Sequence, residues 1–173
     1  FPDFMTEFAS LGGVQTSGQY EMLYDALYMS IWNISSALPY SIGDLEWADT
    51  GTAIDESVPP IDDFKVSWRP ESKRVIIVFT DEPGQSYTFP KNMSGSGNSN
   101  DTITHDILVT AVQSTPDLKV YTFTNSFTKE SGSAPWGTIA DASGGKWYEL
   151  TSSITLMYNQ LMEIIDENAC SAE

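Results

Sequence analysis

The chain has 173 residues, 40% of them hydrophobic, and sets 24 Asp plus Glu against 8 Lys plus Arg for a formal net charge of -16. That is one domain's length with enough apolar content for a normal core. So acidic a surface repels phosphate backbones and anionic headgroups, which argues against nucleic acid and direct membrane insertion as partners, and no apolar run approaches the roughly 18 residues of a membrane span.

In chain order, Phe1, Phe4, Met5 and Phe8 have helical spacing, ended by Gly12-Gly13. A second helix is predicted from about Ser17 to Ala37, with Tyr20, Leu23, Tyr24, Leu27, Tyr28, Ile31 and Trp32 on one stripe and Pro39 as its stop. Residues 39–63 follow without regular period and carry Asp44, Glu46, Asp49, Asp55, Glu56, Asp62 and Asp63. This irregular acidic insertion is either a solvated loop or a functional one.

Arg74 to Thr80, RVIIVFT, is apolar on both faces, as suits an interior strand of a parallel sheet with a neighbour on each side. It delivers the chain onto Asp81 and Glu82, at the rim where open α/β sheets bind ligands. Pro83 to Thr102 is expected to be loop around the low-complexity stretch SGSGNSND. Ile103 to Gln113 has helical spacing, Leu118 to Thr124 is a second buried-type strand, and Trp147 to Leu150 is a short third strand after Ser143-Gly144-Gly145. A closing helix over about 152–168 is expected to turn Ile154, Met157, Leu161, Ile164 and Ile165 inward. Strands separated by helices imply parallel pairing through right-handed crossovers, hence an α/β, doubly wound, mostly parallel sheet.

Asn33, Asn92 and Asn100 each open an N-glycosylation acceptor triplet, pointing to an extracellular or cell-surface setting. Cys170 is the single cysteine. It is either an inert small hydrophobe or, outside a cell, a thiol whose partner is not in this chain. His105 is the only histidine and has no nucleophile at recognisable spacing; no Walker loop or Gly-x-Gly-x-x-Gly is present, so an enzyme is not expected. The five tryptophans are expected to lie mostly in the core, with Trp47 a candidate contact residue.

Four stretches, LGGVQTSGQYEMLYDAL, WRPESKRVIIVFTDE, LKVYTFT and WGTIADASGGKWYEL, occur in an order that resembles the later half of a von Willebrand factor type A domain. The resemblance implies a Rossmann-like doubly wound fold with a divalent-cation adhesion site on the C-terminal rim of its sheet. Of that site's parts, Asp81 matches the aspartate that ends the fourth strand, and Thr16 matches the threonine before a central helix, with Ser17 as the second choice. The Asp-x-Ser-x-Ser part is absent from the sequence. The resemblance therefore implies that residues 1–173 are the C-terminal part of a single domain, completed by an upstream N-terminal segment that also offers Cys170 a disulfide partner.

The implied function is a non-enzymatic protein-binding or adhesion module, in which Mg²⁺ or Ca²⁺ held by oxygen ligands is completed by a carboxylate of a protein ligand. The alternative is a structural assembly module of a surface or filament protein whose metal site is dead. Two local readings also remain open: Asp81 caps the turn that follows it, and Thr16 caps the helix starting near Ser17.

Overall fold

A computed structural model describes residues 23–47, 66–86, 88–90, 102–125 and 135–169. Within them the order is α1 (Leu23–Ile31), a 3-10 turn (Ile42–Asp44), β1 (Leu45–Trp47), β2 (Arg74–Thr80), β3 (Thr88–Pro90), α2 (His105–Gln113), β4 (Leu118–Thr124), α3 (Trp136–Ala142), β5 (Trp147–Glu149) and α4 (Ile154–Asn168). The chain is α/β. Its main sheet has three strands in the order β2-β4-β5, both pairs parallel.

Parallel neighbours need crossovers, and α2 and α3 supply them. Thr104 caps α2 by accepting a hydrogen bond from the Ile107 amide, and Ser153 does the same for α4 from Leu156. At the end of α3, Gly144 takes φ of 73°, and its amide and that of Gly145 donate back to the Asp141 and Ala140 carbonyls, both at 3.0 Å. This is the Schellman geometry, and the left-handed residue it requires is a glycine.

Side chains alternate along β2 and β4, so the two faces of the sheet build two cores. Leu118, Val120 and Val78 join α1, α2 and α3 in the larger one, around the buried residues Tyr24, Tyr28, Leu108 and Trp136. On the opposite face Tyr121, Phe123 and Tyr148 pack with α4 through Ile164, Met157 and Leu161. Phe79, Phe123 and Tyr148 are registered across the three strands and stack at centroid distances of 4.6 and 4.9 Å. Such aromatic pairs add about 0.5–1.5 kcal/mol each beyond the area they bury.

Besides α3, which the sequence reading did not place between the second and third strands, the structure departs from the sequence expectations in five places. First, α1 ends at Ile31, not Ala37. The Ser30 carbonyl is taken by the Trp68 indole at 2.7 Å, and both Ile34 and Ser35 amides turn back onto Ile31. Second, the stretch expected to be irregular from 39 contains the 3-10 turn and β1, and β1 pairs antiparallel with β3, inside the segment expected to be loop. Third, α4 buries only Ile164 fully. Ile154 and Ile165 are 66% and 44% exposed, because α4 carries an apolar stripe wider than the three strands beneath it can cover. Fourth, β2 has β4 as its only neighbour among the described residues, and Ile77 is 36% exposed where a strand covered on both faces was expected. Fifth, of the four tryptophans whose side chains are described only Trp136 is fully buried; Trp32, Trp68 and Trp147 are half-exposed. The expected first helix and residues 48–63 of the acidic insertion lie outside the described residues.

Two tyrosines of α1 make alkaline stability a test of this core. Burial pushes the Tyr28 phenol up to about 12, against a smaller lowering from its hydrogen bond to the Tyr40 carbonyl. Burial and the nearby Asp106 charge also push Tyr24 up. A phenol whose folded pKa lies above its unfolded value stabilises fully below about pH 10, and that contribution is lost as pH rises from there through the folded pKa. Urea midpoints are therefore expected to be insensitive to these tyrosines below about pH 10 and to fall above it. Tyr24→Phe should flatten that fall at little cost at neutral pH, since the buried Tyr24 hydroxyl has no hydrogen-bond partner among the described residues.

Candidate functional site

The C-terminal rim of the parallel sheet gathers the ends of β2, β4 and β5. Thr80 is buried at the last position of β2, and its hydroxyl accepts from the Glu82 amide at 2.9 Å, so the turn after the strand is capped by Thr80. Among the described residues the Asp81 side chain makes no capping bond to that turn. The Asn125 side chain, just past β4, donates to the Asp81 carbonyl at 2.6 Å and straps the two strand ends together. The Trp136 indole donates to the Glu82 carbonyl at 3.1 Å, and the Trp147 indole to the Thr124 hydroxyl at 2.8 Å.

Beyond the turn, the chain passes under two aromatic rings at Gly84. A Cβ there would overlap the Tyr24 ring and come 2.7 Å from Trp136, so only glycine lets the segment lie that close. The Tyr24 amide then donates to the Gln85 carbonyl at 3.2 Å. Asp25, 1% exposed on α1, accepts from the Ser86 hydroxyl at 2.8 Å and from the Thr88 hydroxyl at 2.7 Å. The backbone after β2 is thus held by β4, α3 and α1.

Against that rigid backbone, the Asp81 carboxylate stands exposed and makes no hydrogen bond or ion pair among the described residues. Glu82 beside it is half-buried. Among the described residues no three His, Cys, Asp or Glu side chains converge within reach of one metal ion. Asp81 is therefore a single anionic oxygen donor on a fixed support. Thr16 and Ser17 lie outside the described residues, as do Asn92, Asn100 and Cys170. Asn33 is exposed in the turn after α1, where its amide donates to the Val66 carbonyl at 3.0 Å.

The Asp25, Ser86 and Thr88 cluster was not anticipated. Its signals are present in the sequence: Asp25 is one helical turn from the buried Met29, and Ser86 and Thr88 are two apart, so one extended face can present both hydroxyls. An acid so placed in an apolar stripe is either exposed or paired. Elsewhere, an open groove of about 610 Å³ runs along α4 beside Lys146, but that ammonium is already engaged by Glu163 at 2.8 Å and Glu167 at 3.2 Å. Glu167 also holds Lys119 at 3.0 Å, and the two lysines lower its carboxyl below the usual range. His105 opens α2 and sits 3.1 Å from the Thr138 hydroxyl and 3.3 Å from the Pro135 carbonyl, a link between the starts of α2 and α3.

Comparison with protein-family models, with curated proteins and with solved structures gives no match. No described helix is long and apolar enough to cross a membrane.

Proposed function

We propose that the chain is the later part of a von Willebrand factor type A-like, doubly wound domain, and that Asp81 supplies one corner of a divalent-cation site used to bind a protein ligand outside the cell. The observation that supports this reading is the exposed, unpaired Asp81 carboxylate at the C-terminal end of a parallel strand, on backbone fixed by the Asn125 and Trp136 hydrogen bonds. A carboxylate held this way loses little freedom on binding a cation, and a hard ion such as Mg²⁺ or Ca²⁺ prefers oxygen donors with positions left for water or a ligand carboxylate. The remaining donors come from outside the described residues, with the Thr16 and Ser17 hydroxyls the candidates in this chain.

Thermal melts with Mg²⁺, Ca²⁺ or chelator decide the matter. Binding only to the folded state stabilises it by about 2.7 kcal/mol at a hundredfold excess over Kd, so the melting temperature should rise with saturating cation. Asp81→Ala should abolish the rise while leaving the melt in chelator unchanged, since the side chain makes no hydrogen bond or ion pair among the described residues. A cation response that survives Asp81→Ala would sink the assignment. No response in the unsubstituted chain would favour the structural assembly module.

A further inference from the structure

We propose that Asn33 is an N-glycosylation site that accepts its sugar only while the chain is still unfolded, because the fold then withdraws both the amide that reacts and the hydroxyl that is read. This rests on the extracellular setting of the proposed function and involves no part of the cation site. In the transfer, Asn33 Nδ2 bonds to the anomeric carbon of a lipid-diphosphate-linked oligosaccharide. The bond from that carbon to the diphosphate oxygen breaks, the lipid diphosphate leaves with the electron pair, and the amide gives up one proton. The acceptor pattern admits only Ser or Thr at its third position, so the Ser35 hydroxyl must be free to meet the transferase.

In the folded chain all three residues of the triplet are engaged. The Asn33 side-chain amide donates to the Val66 carbonyl at 3.0 Å. Ile34 packs against the larger core, and the Ser35 hydroxyl donates to the Ala111 carbonyl of α2 at 3.2 Å. The Ser35 amide stays on the Ile31 carbonyl at 2.9 Å, which holds the triplet in a closed turn. Presenting it to an enzyme means breaking these bonds and lifting Ile34 from the core.

The growing chain lacks these restraints at first. Val66 lies 33 residues beyond Asn33, and Ala111 lies 76 beyond Ser35. At a synthesis rate of about 5–20 residues per second, the second interval leaves the hydroxyl without its partner for about 4–15 s. The fold also tolerates the product. Asn33 is exposed, and the sugar replaces one of two amide hydrogens, leaving one for the Val66 carbonyl. Ala111 is in the last turn of α2, which leads into the start of β4, so Asn33 stands at the edge of the sheet opposite the rim that carries Asp81. A glycan there leaves the rim open.

The test is transfer to the full 173-residue chain at two moments, read by peptide mass mapping after an amidase that releases the sugar and leaves an aspartate in place of Asn33. During synthesis into microsomes Asn33 should be modified; Ser35→Ala should abolish this, and Ser35→Thr should keep it. Afterwards, the purified, unmodified and folded chain is given transferase and lipid-linked oligosaccharide. Asn33 should then react at least about tenfold more slowly than a peptide of residues 29–40, because only the opened fraction is a substrate. An Asn33 left unmodified during synthesis overturns the proposal, and so does a folded chain that reacts as fast as the peptide. Neither result touches the cation reading, since Asn33→Gln should leave the Asp81-dependent rise in melting temperature unchanged.

Discussion

Replacing Gly145 by alanine should lower stability by about 3 kcal/mol or more, because the added methyl group meets backbone that cannot turn aside. A Cβ at this position would overlap the Val120 carbonyl oxygen and approach its carbon to 2.8 Å. Those atoms are the backbone of the central strand, so no side chain can rotate away. Relief requires moving β4 or the end of α3. Moving α3 breaks the Gly145 amide bond to Ala140 and draws Ser143 off the Val120 amide, which its hydroxyl satisfies at 2.8 Å. In a domain of this length the loss should appear as a fall of about 6–12 °C in melting temperature and a matching drop in urea midpoint. Gly144→Ala is the control: its added Cβ meets open space, so only the strain of φ 73° is charged, about 1 kcal/mol. Equal effects of the two substitutions would show that close approach to β4 is not what requires the second glycine.

Asp25→Ala should cost about 3–5 kcal/mol. The carboxylate is the acceptor for two buried hydroxyls, and bonds to a charged acceptor are worth about 1.5–3 kcal/mol each when their loss leaves the donors unsatisfied. Asp25→Asn keeps an acceptor oxygen and should cost less than half as much. Because Ser86 and Thr88 follow the rim turn, the damage should spread beyond α1: amide exchange should quicken through residues 82–90 while β4 and β5 keep their protection. Double-mutant cycles between Asp25→Ala and Thr88→Val should give a coupling of about 1 kcal/mol or more. Additivity would show that the hydrogen bond carries no weight.

Where the sequence spoke clearly, it did so through long, uniform patterns. RVIIVFT and LKVYTFT are dense in β-branched and aromatic residues, and both strands occupy those residues. The Ser-Gly-Gly was legible only as the approach to the third strand; the helix that it ends, α3, was not expected, and the structure gives its two glycines a conformational role and a spatial one. β1 and β3 were invisible because LEW and TFP are three residues each, too short to show a period, and their partnership is decided by chain brought together from far apart. The closing helix was placed well and its inward face misjudged. Periodicity says which residues share a stripe, but the width of the stripe actually covered depends on how many strands lie beneath it. Asp81 was conspicuous because an apolar run ends on it. The buried Asp25 was not, since a lone acid in a helix looks the same in sequence whether water or two hydroxyls satisfy it.

The placement of β4 also decides how the chain must fold. Its ladders are made with strands far away in sequence, Arg74 registered with Leu118 on one side and Thr122 with Trp147 on the other, and the main sheet contains no hairpin. Neither ladder rewards the chain until a long loop has closed, so the entropy of closure is lost before any strand hydrogen bond forms. The helices α2 and α3 can begin locally; β4 cannot. Destabilising β4 should therefore slow folding, whereas damage to the small β1 and β3 ribbon should hasten unfolding. The strand that organises both cores is also the one on which the rate of reaching them depends.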